Sequence, residues 1–122
     1  NWWIGSSVPW SSGNVATFAG TQPSNNVTVS GSIASVNGMN FMGSGAPYNL
    51  SGGTITLTGA GTVSGSQNAT IGSVLAGGVG LTKSGVNTLT LTGANLFTGV
   101  TAVNQGAIVL SGAGALGGNG GV

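Results

Sequence analysis

Polar and apolar residues alternate singly along two stretches of the chain, Thr54-Ile55-Thr56-Leu57-Thr58 and Thr88-Leu89-Thr90-Leu91-Thr92. Successive side chains of a strand point to opposite faces, so Ile55, Leu57, Leu89 and Leu91 are set to face a core and the threonines to face away. Gly59 and Gly93 follow these runs, as expected where a strand ends in a turn. Shorter runs predict further strands at residues 16–18, 32–36, 39–42, 69–71, 80–83 and 98–103. No long stretch repeats its apolar residues every 3.6 positions, and 26 glycines make helices unfavourable throughout. The pattern is all-β.

The runs recur in frame. Residues 53–60 match residues 87–94, residues 106–113 follow the same frame, and residues 26–31 form a weaker copy. The offsets from Val27 to Ile55, from Ile55 to Leu89 and from Leu89 to Ile108 are 28, 34 and 19 residues. Short strands with frequent glycine suit either a sandwich or a solenoid, and recurrence in frame favours the solenoid. Uneven offsets suit coils joined by loops of variable length. Stacking would place like residues above like, with Val27, Val29, Ile55, Leu57, Leu89, Leu91, Ile108 and Leu110 as the aliphatic core ladder. Thr, Ser and Asn would form ladders outside.

The two parts of the chain differ. Residues 1–50 hold all 3 Trp, all 3 Pro and both Met, together with Tyr48, Phe18 and Phe41. They read as an aromatic-rich N-terminal cap or as the first coils, and residues 51–122 as the solenoid repeats.

Composition then removes whole classes of chemistry. Lys83 is the one charged residue, and there is no Asp, Glu, His or Cys. Without carboxylates or imidazoles no side chain titrates near neutral pH, so ordinary acid–base catalysis has no actor. The usual metal ligands are missing, and neutral carbonyls alone hold calcium poorly. One lysine cannot neutralise a phosphate backbone, which argues against nucleic acid. No apolar run is long enough for a membrane helix. The start, Asn1-Trp2-Trp3, has neither a basic nor an apolar leader region, which reads as a mature or excised segment. The expectation is a protein with no catalytic residues, no metal and no cofactor.

Several local patterns suggest more specific roles. Lys83 beside Ser84 resembles a Ser–Lys nucleophile pair, but strand neighbours face opposite ways, so a solvated lysine is expected. Residues 112–117 fit G-x-G-x-x-G, and residues 78–84 approach a phosphate-binding loop. The first lacks a following helix and an acid, and the second has Thr82 where glycine should precede the lysine. Asn26-Val27-Thr28, Asn49-Leu50-Ser51 and Asn68-Ala69-Thr70 are formal glycosylation sequons, as chance provides in such a composition. The threonine rows at 54–58 and 88–92 could order water as ice-binding arrays do, provided that successive coils continue them. Trp2, Trp3, Trp10 and Tyr48 are candidates for a self-association or ligand surface, against an end cap as the plainer alternative.

One stretch is similar to a known family. Gly80-Leu81-Thr82-Lys83-Ser84-Gly85, Thr88-Leu89-Thr90-Leu91-Thr92-Gly93-Ala94-Asn95, Phe97-Thr98-Gly99 and Gly106-Ala107-Ile108-Val109-Leu110 resemble the autotransporter-associated β-strand repeat, also called the passenger-associated transport repeat. The resemblance covers about the last third of the chain; more loosely, Trp10, Asn14, Phe18, Pro23, Phe41 and Tyr48 look like what precedes such repeats. It implies a right-handed parallel β-solenoid, secretion, and an extracellular or bacterial cell-surface location. The expected role is structural, either a solenoid segment of a surface protein or a head-to-tail homopolymer that grows into a filament. Adhesion to a glycan or host surface is the alternative, and ice binding the second alternative. No nucleic acid partner and no membrane insertion by this segment are expected.

Overall fold

The computed structural model describes residues 15–20, 25–43 and 46–111. Their regular structure is β throughout: β1 (Val15–Gly20), β2 (Asn25–Thr28), β3 (Ser32–Gly43), β4 (Tyr48–Ser51), β5 (Thr54–Gly65), β6 (Ala69–Ile71), β7 (Val74–Ala76), β8 (Thr82–Lys83), β9 (Thr88–Leu91), β10 (Ala102–Val103) and β11 (Ala107–Leu110). All pairings between them are parallel. One sheet runs β1-β3-β5-β8-β10, with β7 also paired to β5, and the other runs β2-β4-β6-β9-β11. The chain crosses from one sheet to the other and returns one strand further along, which makes a β-solenoid.

The step per coil is short and nearly constant. Asn25 lies beside Tyr48, Tyr48 beside Ala69, Ala69 beside Leu89 and Leu89 beside Ile108, in steps of 23, 21, 20 and 19 residues. On the other sheet Val15, Gly38, Thr62, Thr82 and Ala102 follow in steps of 23, 24, 20 and 20. The offsets of 28 and 34 read from the sequence are therefore not coil steps. Ile55 and Leu57 belong to the first sheet, Leu89 and Leu91 to the second. Every face of a coil needs the same apolar–polar alternation, so a sequence match jumps between faces.

The long strand β5 is divided between two later strands. Its first part pairs with β7, from Thr54↔Val74 to Thr56↔Ala76, and its second part with β8, at Thr62↔Thr82 and Val63↔Lys83. Between these parts Gly59 and Gly61 take φ of +59° and +56°, a region that side chains resist. The backbone turns a corner there without leaving the sheet. A Cβ on Gly61 would press on the carbonyl oxygen of Gly80 in the next coil.

The interior is built of columns. Val27, Leu50, Ile71, Leu91 and Leu110 form one on the second sheet, and Tyr48, Ala69, Leu89 and Ile108 another. Ile33, Ile55 and Leu75 form a third on the first sheet. Ile55, Leu57, Leu89, Leu91 and Val29 are buried, while Val27 and Ile108 are half-buried and pack on the core. Leu110, in the last described strand, remains 46% exposed. In the first coils the column Phe18–Phe41 stacks its rings at 5.0 Å, and Tyr48 tilts against both.

Candidate functional site

The most unusual side chain of the interior is Lys83. It occupies a column with Ala16, Met39, Val63 and Val103, and it is fully buried. The expectation of a solvated lysine is corrected here. Alternation already contained the signal: Leu81 faces the core, so the residue two positions on faces it as well. What overrode it was the general rarity of buried lysine.

Burying an ammonium is tolerated only when its donors find acceptors. Nζ of Lys83 donates to the backbone oxygens of Ser84 and Gly85, each at 2.9 Å, and to Oδ1 of Asn87 at 2.7 Å. Three donors meet three acceptors, all of them neutral. Asn87 is itself buried, and its Nδ2 donates to the backbone oxygen of Gln67 in the preceding coil, at 2.8 Å. Burial pulls the Lys83 pKa below its ordinary value of 10.5. Lys83 reaches the carbonyl of Ser84 rather than its hydroxyl, so the pair has no nucleophile geometry.

Glycine makes room for this arrangement. A Cβ on Gly106, in the following coil, would lie 2.9 Å from Nζ of Lys83 and would also press on the backbone oxygens of Gly85 and Asn87. In the earlier coils Phe41, in register with Gly65, stacks on Phe18 and packs against Tyr48. Neither Asn87 nor Gly106 stood out in the sequence as more than repeat residues.

The other candidates fall as follows. Tyr48, expected on a self-association or ligand surface, is buried, and its hydroxyl donates to the backbone oxygen of Met42 at 2.9 Å. Desolvation raises its pKa above 10.0. Its position two residues before the inward Leu50 explains the burial. Trp2, Trp3 and Trp10 lie outside the described residues, as does the glycine-rich run 112–117. The threonine rows stand on different sheets: Thr54 and Thr56 border Val74 and Ala76, whereas Thr90 stands in an outward column with Asn26, Asn49, Thr70 and Val109. They do not extend one another.

Three further buried residues among those described are polar, Ser73, Asn95 and Thr101. Asn95 accepts from the backbone N–H of Leu75 through Oδ1 at 3.0 Å, holding the corner that leads to the buried Phe97. The hydroxyls of Ser73 and Thr101 are buried without a hydrogen-bond partner.

No curated protein and no solved structure matches the chain. Residues 81–110 match the family model described as the passenger-associated transport repeat, a span that includes Lys83, Ser84, Gly85, Asn87 and Gly106. The chain is thus a β-solenoid that carries a passenger-associated transport repeat.

Proposed function

We propose that this chain is a non-enzymatic, structural segment of a secreted or surface-exposed bacterial passenger protein, a rigid solenoid that extends or spaces what it carries. The observation that carries the reading is the position of the repeat. Residues 81–110 are continuous with the same interior columns as the coils before them, from Val27 to Leu110, so the repeat forms part of the rod. The lack of Asp, Glu, His and Cys supports a role without catalysis, metal or cofactor.

A finer reading is self-association. The described sheets end in β1 and β2 on one side and in β10 and β11 on the other, and a net charge of +1 opposes stacking of copies only weakly. Such head-to-tail contacts propagate into open filaments. Adhesion to a glycan has less support, because Tyr48 is buried, and ice binding has less still, because the threonine rows do not continue across coils.

Electron cryo-microscopy of the purified chain separates the readings. Isolated short rods with a rung spacing of about 4.8 Å are expected for a passenger segment. Regular filaments with that spacing would establish self-assembly instead, and particles without it would overturn the structural reading altogether.

A further inference from the structure

The columns of the second sheet pose a problem of specificity. Leu50, Ile71 and Leu91 are near-equivalents, the strands are short, and the corners are rich in glycine. Moving one coil along its neighbour by two residues would exchange one aliphatic side chain for another and keep the same face inward. Register is weakly specified under such conditions. Buried polar groups are one means of fixing it.

We propose that Lys83 and Asn87 form a register pin, which sets the alignment of their coil against both the preceding and the following one. Its first part is local. The acceptors of the ammonium come from Ser84, Gly85 and Asn87, all within four residues, so the corner after β8 holds Nζ at one place whatever its neighbours do. Its second part reaches backward: Nδ2 of Asn87 donates to the carbonyl of Gln67, and a displaced preceding coil would withdraw that acceptor. Its third part reaches forward. The position over Nζ admits no Cβ, and among residues 104–108 (Asn, Gln, Gly, Ala, Ile) only Gly106 meets that condition. Shifting the following coil by one or two residues in either direction would bring a side chain against the ammonium and the carbonyls of Gly85 and Asn87. Val63 and Val103 stand in register with Lys83 on its two sides.

The test is hydrogen exchange and amide spectroscopy on the full chain carrying Lys83→Met, which keeps an unbranched side chain, one atom shorter, and removes the charge. The strand content should persist. The inter-coil amides near the pin, those of Ser84, Thr88, Asn104 and Ala107, should exchange on the order of tenfold faster or more and show doubled resonances. Those of Thr54 and Gly72, which bond to the carbonyls of Gly31 and Leu50, should keep their wild-type rates. Gly106→Ala, which retains Lys83, should give the same local pattern. A single sharp spectrum with wild-type protection in both variants would overturn the proposal, and so would a uniform loss of protection across all coils. If neither variant folds, the ammonium protons of the wild type decide: slow exchange and proximity to the Gly106 α-protons support the pin, and rapid exchange with solvent refutes it.

Discussion

Nζ of Lys83 and Oδ1 of Asn87 meet at 2.7 Å inside the solenoid, with no Asp or Glu side chain in the sequence to balance the charge. Hydrogen bonds to a charged group contribute more than neutral ones, and removing one partner leaves the other buried without its match. Asn87→Ala should therefore lower stability by about 1.5–3 kcal/mol. The measurement is the midpoint of guanidinium unfolding at unchanged slope. Combining it with Lys83→Met should cost less than the sum of the single changes, because the second substitution removes the group that the first left exposed to an apolar interior.

Leu96 and Phe97 offer a contrast between adjacent residues. The backbone N–H groups of both donate to the carbonyl of Leu75, yet Leu96 is 65% exposed and Phe97 fully buried. Phe97→Ala should destabilise by about 3–5 kcal/mol through lost burial and the cavity left behind. Leu96→Ala should stay within about 0.5 kcal/mol of wild type. Thermal and chemical unfolding of the two variants side by side checks the assignment of faces.

The sequence disclosed the class of fold and part of the core, and its limits have physical causes. Single alternation at 54–58 and 88–92 identified strands and inward residues, because burial on one face forces that period. Residues 69–71 were legible as β6 for the same reason. The coil step was not legible from those runs, since Ile55 and Leu89 answer to the same rule on different sheets. Strand β7 was missed because Val74-Leu75-Ala76 has no polar alternation to mark it. The lysine pin was missed because its acceptors are two backbone carbonyls and an asparagine, which carry no charge pattern, and because its room comes from Gly106, more than twenty residues away.

Two glycines separate strain from flexibility. Gly61 has φ +56° and no space for a Cβ beside the Gly80 carbonyl, whereas Gly78 has open space around it and no positive φ. Gly78→Ala should stabilise by about 0.4–1 kcal/mol by narrowing the unfolded ensemble, and Gly61→Ala should destabilise by more than that range. Opposite shifts in the unfolding midpoint are the expected result. Equal losses in both would show that the corner between β7 and β8 is as tightly specified as the one inside β5.

The dependence of stability on pH follows from which side chains titrate. With no Asp, Glu or His, side-chain titration contributes no acid transition, and stability should stay nearly level from about pH 3 up to the point where folded Lys83 begins to lose its proton. The alkaline side holds two opposed effects. Lys83 has a folded pKa below its ordinary 10.5, so between those values the unfolded chain binds more protons, and stability rises with pH until the unfolded lysine has also lost its proton. Tyr48 has a folded pKa above its ordinary 10.0, so its contribution is complete below pH 10.0 and is lost as pH rises through the folded value. Lys83 should thus raise stability as pH climbs through its folded value toward 10.5, and Tyr48 should lower it above pH 10.0, the two opposing each other where they overlap. Lys83→Met should abolish the gain and keep the loss, while Tyr48→Phe should keep the gain and remove the loss. Denaturant midpoints taken at intervals from pH 7 to pH 11 read both limbs. A wild-type curve that only falls across that range would mean that the three acceptors around Lys83 favour its charged form more than burial penalises it.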